Sequence, residues 1–216
     1  MSRHRDGSAA ASWDAKASRY HTQERLEQRA IAVAARYAGP FDQETLIDLA
    51  TGTGAVLRAL AAGPSRPAAV VGVDRSPGML AEVGPLPGGW TTLEADARAV
   101  PLPDAGADVV TCAYLLHLLT PADRLAVLLE ARRLLRPGPG SRIVVVTVWT
   151  APGRLGGRLA GGALRAAAAL APGRLGGLAP LDPTGQLERA GFKLTHRCEL
   201  PRAGYPSLVL RAVTAR

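Results

Sequence analysis

Leu46-Ile47-Asp48-Leu49-Ala50-Thr51-Gly52-Thr53-Gly54 is the stretch from which the fold is read. An apolar run of strand length stops at a small glycine-bearing turn, and Ala55-Val56-Leu57-Arg58-Ala59-Leu60 follows with helix formers at helical spacing. That succession reads as strand, tight loop, helix, which is half of a nucleotide-binding fold. A residue without a Cβ lets the backbone turn sharply and lets a ligand approach the peptide groups at the next helix N-terminus. Glycine turns also join strands to helices for structural reasons alone, so the reading depends on what surrounds this one.

Working outward, Ala68-Ala69-Val70-Val71-Gly72-Val73-Asp74 is a second apolar strand ending in an acid. Ser76 and Pro77 then open a helix as cap and first position. Thr91 to Asp96 is a shorter third strand, and Asp108 to Tyr114 a fourth. Thr120-Pro121-Ala122-Asp123 caps a helix that Pro137-Gly138-Pro139-Gly140 stops. Ile143 to Trp149 is β-branched and apolar on both faces, as a central parallel strand should be. Five strand-helix alternations predict a parallel sheet covered on both sides. Past these, Asp182 to Gly191 reads as a short helix, with the strands Phe192–Leu200 and Ser207–Val213 an antiparallel pair. The fold class expected is α/β: a doubly wound, mostly parallel, seven-stranded sheet with an antiparallel last strand.

One domain is expected over residues 1–216: an N-terminal helical cap at 1–40, a core at 41–149, an insertion at 150–180 and a C-terminal helix and hairpin at 181–216. The first 12 or so residues read as a frayed end. The insertion repeats Ala-Pro-Gly-Arg-Leu-Gly-Gly from Ala151 and again from Ala171, and carries Arg154, Arg158, Arg165 and Arg174 without an acid. It reads either as a lid that touches a lipid-like substrate or a membrane surface, or as low-complexity sequence with no specific role. Met1-Ser2-Arg3-His4-Arg5-Asp6-Gly7 shows no hydrophobic leader, and no apolar run reaches the roughly 18 residues of a membrane span, so a cytoplasmic location is expected. Cys112 and Cys198 lack ligand spacing and read as buried thiols, with no disulfide and no metal site. The net charge of +8 admits an anionic partner. Aromatics at 4% and the lack of a basic run weigh against nucleic acid.

Asp48, Asp74 and Asp96 stand at or near the ends of the first three strands. Ligands of open α/β sheets bind beyond the carboxyl ends of the strands, which places Asp74 to accept two ribose hydroxyls and Asp96 to accept a base amino group. A dinucleotide site needs a third glycine three residues after Gly54, and Leu57 stands there.

Together these motifs resemble those of the Rossmann-like, class I S-adenosylmethionine-dependent methyltransferases. The resemblance is carried by Asp48 to Gly54, by Asp74 in Val73-Asp74-Arg75-Ser76-Pro77-Gly78-Met79-Leu80 and by Asp96 in Ala95-Asp96-Ala97. Pro101-Leu102-Pro103-Asp104, Asp108-Val109-Val110 and Leu134-Leu135-Arg136-Pro137-Gly138 extend it over roughly residues 44–149. Leu49-Ala50-Thr51-Gly52-Thr53-Gly54, Ala190-Gly191-Phe192 and Gly204-Tyr205-Pro206-Ser207 are most similar to the ubiquinone/menaquinone biosynthesis C-methyltransferases and related small-molecule enzymes. Ala50 stands where many members have a glycine, and Ala55 where the quinone enzymes carry an acid.

The resemblance implies S-adenosylmethionine as cofactor and S-adenosylhomocysteine as its product. Ala50, Thr51, Gly52 and Gly54 would border the methionine moiety, with Asp48 organising their loop. Asp74 and Arg75 would face the ribose, Met79, Asp96 and Ala97 the adenine, and Ala113 and Tyr114 the sulfonium. Tyr20 resembles a tyrosine that closes over the cofactor. His117, after the fourth strand, is the first candidate base for a phenol or quinol acceptor, ahead of His21 and then His196. The function expected is methyl transfer to carbon or oxygen of a small aromatic, quinone-like or natural-product acceptor by a monomer or homodimer. The alternatives are an RNA-directed methyltransferase and a protein that binds the cofactor without transferring methyl groups.

Overall fold

Seven strands form one sheet in the order β3-β2-β1-β4-β5-β7-β6. The structure is a computed structural model that describes residues 13–14, 17–39, 41, 43–149, 180–200 and 206–215, without the side chains of 17–23. The expected frayed terminus, the lid-like insertion with its heptapeptides and the turn at 201–205 lie outside the described residues. The elements are α1 (Ala17–Ala38), β1 (Thr45–Leu49), α2 (Ala55–Ala61), β2 (Ala69–Asp74), α3 (Pro77–Ala81), β3 (Trp90–Glu94) and β4 (Val109–Ala113). They continue with α4 (Pro121–Leu134), β5 (Arg142–Val148), α5 (Thr184–Arg189), β6 (Phe192–Leu200) and β7 (Ser207–Thr214).

Strands β1 to β5 pair in parallel, and β7 runs antiparallel to both β5 and β6. The antiparallel last strand is therefore present, inserted between its two neighbours. From β1 the chain winds out to β2 and β3, then returns to place β4 on the other side of β1. That reversal opens a crevice at the carboxyl ends of β1 and β4, where open α/β sheets take their ligands.

Each face of the sheet buries its own core. On one, Ile47, Leu49, Val110 and Val145 meet Val127, Leu128, Ala131 and Leu134 of α4 and Leu187 of α5. On the other, Leu46, Val70, Val109 and Val144 meet Ile31 and Ala34 of α1 and Val56, Leu57 and Leu60 of α2. Every residue of β5 is buried, in keeping with its unbroken β-branched pattern. Leu57, which argued against a dinucleotide site, is fully buried, and a Cβ added at Gly72 would lie 3.1 Å from its Cδ2. The small residue that lets helix and sheet approach is thus on β2, and the leucine adds about 1.5–3 kcal/mol of apolar burial.

Two expectations need correction. The third strand-helix alternation is missing: residues 95–108 join β3 to β4 without a helix. Pro101 and Pro103 lack the backbone donors a helix would use there. Cys112 is buried and free, whereas Cys198 is also free but only half-buried. It lies on the outermost strand β6, where much of the chain faces solvent. At the opposite, amino edge of the sheet, the buried Arg142 ties β5 to α1 by donating to the Ala38 carbonyl at 2.6 Å and pairing with Glu44.

Candidate cofactor and active site

The turn after β1 is built from left-handed backbone. Ala50, Gly52 and Gly54 have φ of 58°, 55° and 84°. The Thr51 N–H donates to the Val73 carbonyl, the Gly54 N–H to the Thr51 carbonyl, each at 2.9 Å, and the Gly52 N–H to Asp74 Oδ2 at 2.8 Å. A Cβ on Gly52 would meet no protein atom within 4 Å, so this part of the turn presents open backbone. Ala50 shows why a glycine is common at its position: the demand is conformational, since an L-residue in the left-handed region costs about 1–2 kcal/mol. Ala50→Gly should raise stability by about 0.5 kcal/mol after the added freedom of the unfolded chain is counted, and Ala50→Val should lower it by more. Urea denaturation of the two variants measures both.

Asp74 is the hub between this turn and α3. Its Oδ1 accepts from the Ser76 N–H at 2.9 Å while Oδ2 accepts from Gly52. Burial raises its carboxyl above the ordinary value, opposed by the Ser76 and Gly52 amides and the charge of Arg75. Met79 is buried beside it, and its N–H is capped by the Ser76 hydroxyl at 3.1 Å. Asp48 sits one layer deeper, opposite Gly72 and Thr111 in the sheet register. Thr111 donates to its Oδ1 at 2.6 Å, and its buried Oδ2 has no hydrogen-bond partner among the described residues. Burial pushes this carboxyl up to about 7, against the pull of the Thr111 hydroxyl.

Asp96 and Ala97 lie just beyond β3, both half-buried. Sequence reasoning gave Asp96 no protein partner; the structure pairs it with Arg98, whose guanidinium also reaches Asp123 at the start of α4. Two further residues were missed. Asp14 Oδ1 accepts from Ser76 Oγ at 2.5 Å and from the Gly78 N–H at 2.9 Å, closing the N-terminal segment over α3. Glu24 of α1 pairs with Arg58 at 2.8 Å and accepts from the Thr53 hydroxyl, clamping α1 to the turn. The Trp13-Asp14 pair and the absence of a Cβ at Gly78 were the available signals for the first contact. Tyr20 and His21 fall on α1, but their side chains lie outside the described residues.

On the far side of the crevice Tyr114 is buried with φ of 55°, a conformation costly for a large side chain, and its hydroxyl is 2.7 Å from Ser207 Oγ. Half-buried Ala113 precedes it. His117 lies in a single 3₁₀ turn, Leu116–Leu118, its ring edge-on to Tyr114 at 6.2 Å between centroids. Burial, aided by the charge of Arg124, pushes its imidazole down to about 4, and its buried Nδ1 has no partner among the described residues. His196 packs instead against Tyr37 at 5.3 Å on the outer strand β6.

The turn, the two acids and the strand reversal converge at one crevice, and the sequence there has known relatives. Residues 46–138 match the methyltransferase domain family. Over that span the chain carries a methyltransferase domain. The chain is 38% identical over 116 residues to the ubiquinone/menaquinone biosynthesis C-methyltransferase of Geobacter sulfurreducens, a match covering 51% of this chain and 44% of the relative. The chain thus aligns with less than half the length of that curated relative. Its fold matches a chain of the complex between the Haloferax volcanii Trm112 methyltransferase activator and a methyltransferase, with TM-score 0.73 and 17% identity over 95% of this chain and 97% of the other. It also matches the Burkholderia thailandensis 1,6-didemethyltoxoflavin-N1-methyltransferase, solved with 1,6-didemethyltoxoflavin and S-adenosylhomocysteine. There the TM-score is 0.70 at 16% identity, over 100% of this chain and 91% of that one. Among the described residues, no helix is long and apolar enough to cross a membrane.

Proposed function

We propose that this chain binds S-adenosylmethionine in the crevice and transfers its methyl group to carbon or oxygen of a small aromatic, quinone-like acceptor. The observation that carries the reading is the pairing of open backbone at Gly52 with the carboxylate of Asp74 at the neighbouring strand end. The residues present fit the group. The turn leaves room for the methionine moiety, the unpartnered Asp48 Oδ2 provides a buried acceptor beneath it, Asp74 and Arg75 stand for the ribose, and Met79, Asp96 and Ala97 for the adenine. When bound, the sulfonium supplies an already activated methyl group, so the protein's contribution is chiefly orientation and exclusion of water.

The chain's own residues then have separate tasks. The Asp74 carboxylate fixes the turn through Gly52 and α3 through Ser76, and its remaining acceptor capacity would serve the ribose hydroxyls. Tyr114, its hydroxyl held by Ser207, would wall the acceptor side. His117 is neutral above a pH of about 4 and is then a weak base, so its Nδ1 would accept a hydrogen bond from a phenol or quinol hydroxyl and orient it rather than carry the proton away. His117→Ala should lose about tenfold in turnover, the contribution of one orienting hydrogen bond, while binding S-adenosylhomocysteine as the unaltered protein does. Because its pKa is depressed, the unaltered enzyme should show no imidazole limb between pH 6 and 8; a pH-rate profile checks that.

The deciding experiment supplies methyl-labelled S-adenosylmethionine with a prenylated naphthoquinol. Label in the quinol supports the reading. The charge of +8 favours a second one, in which label appears in RNA added in its place. Cofactor binding with label in neither product would point to a protein that binds without transferring.

A further inference from the structure

We propose that Arg98 is a positioning residue that aims the Asp96 carboxylate and so sets the preference for an adenine base over bases lacking its amino group. The proposal rests on the reading that Asp96 faces the adenine. Its basis is how the lone pairs of this carboxylate are occupied. Oδ1 accepts from the Arg98 backbone N–H at 2.8 Å and from Nε at 3.0 Å. Oδ2 accepts from the terminal guanidinium nitrogen Nη2 at 2.6 Å and shares Nε at 3.1 Å. A carboxylate offers about four acceptor positions, and three Arg98 N–H groups grip it, the Nε hydrogen being shared between both oxygens, so about one position is left, on Oδ2. A single remaining position suits one N–H of an exocyclic amine and holds it in one direction.

The other end of Arg98 is fixed from a different element. Its Nη1 donates to Asp123 Oδ1 at 2.8 Å, and Asp123 accepts from the Thr120 hydroxyl at 2.7 Å through its second oxygen at the cap of α4. Arg98 is therefore held between two acids, with the loop after β3 on one side and α4 on the other. The planar fork matters as well as the charge, because a lysine ammonium cannot occupy both carboxylate oxygens in a fixed plane. Burial works to raise the Asp96 carboxyl, but the Arg98 hydrogen bonds outweigh it and hold the group below its ordinary value, so it remains an anionic acceptor. The Asp96 side chain is 36% exposed and that of Arg98 26%, so a ligand can reach the free position.

The test compares calorimetric binding of S-adenosylhomocysteine and S-inosylhomocysteine, which carries an oxo group where adenine has its amine. The unaltered protein should favour the adenosine compound by about tenfold or more, as expected for one hydrogen bond to a charged acceptor. In Arg98→Ala the two affinities should converge to within about threefold, and Arg98→Lys should fall between. Thermal melts identify which variants fold, and if Arg98→Ala does not, Arg98→Lys alone carries the comparison. A folded variant that keeps the full preference overturns the assignment. Equal binding of both compounds by the unaltered protein overturns it too while leaving the cofactor reading intact, whereas binding of neither removes the cofactor reading itself.

Discussion

Asp74→Ala should abolish S-adenosylhomocysteine binding, raising its Kd by at least about 100-fold. Two hydrogen bonds from ribose hydroxyls to a carboxylate contribute about 1.5–3 kcal/mol each, and every 1.36 kcal/mol is a factor of ten. The substitution also strips the Gly52 and Ser76 amides of their acceptor, loosening the turn that borders the methionine moiety. Asp74→Asn is nearly as damaging. Whichever way its amide turns, one –NH₂ group confronts a backbone N–H that now has no acceptor. Because burial raises this carboxyl, the loss of affinity on acidification should begin at a higher pH than an exposed aspartate would show. Binding needs the ionised form, so affinity falls as pH drops through the raised pKa. Calorimetry reads both effects, with melting curves to show that each variant folds. A folded Asp74→Ala protein that binds within threefold of the original would place the cofactor elsewhere.

The features that located this site in the sequence were those set by local chemistry. Strand, glycine turn and helix at 46–60, and an acid closing β2, follow from periodicity and backbone freedom, which neighbouring residues determine. The two-faced burial of β5 was equally plain in its unbroken β-branched run. What escaped depends on distant residues. Asp14 meets Ser76 and Gly78 across more than 60 positions, and Glu24 meets Arg58 across 34. Nothing in the spacing of either pair announces the contact. The order β5-β7-β6 was hidden for the same reason: an antiparallel hairpin can be inferred from its turn, but which strand lies next to β5 is decided by packing. Arg98, only two residues from Asp96, is a different omission. The sequence showed the acid and not that its carboxylate was already engaged, which only side-chain geometry reveals.

Asp48 leads to the second large effect, on stability. Its carboxyl ordinarily titrates at 3.8 and in the fold at about 7. Between those values the folded state holds a proton that the unfolded chain has lost, so stability is highest below 3.8 and declines as pH rises to about 7. The full linkage over that span is an upper bound of about 4 kcal/mol. Asp48→Asn removes the ionisation while its amide oxygen can still accept from Thr111. After about 1–3 kcal/mol for burying an amide N–H with an imperfect partner, the variant should be about 1–3 kcal/mol more stable at pH 8 and show no gain at pH 4. Denaturant titrations at the two pH values measure the difference, and equal stabilities at both would mean that the buried Oδ2 is solvated. The same substitution should weaken S-adenosylhomocysteine binding about tenfold, because it replaces a buried carboxylate oxygen under the turn that has no hydrogen-bond partner among the described residues. A protein made more stable and less able to bind by one atom's change is the expected behaviour of a charge kept for its ligand at a cost to the fold. If the variant gained stability and lost no affinity, Asp48 would be serving the turn alone.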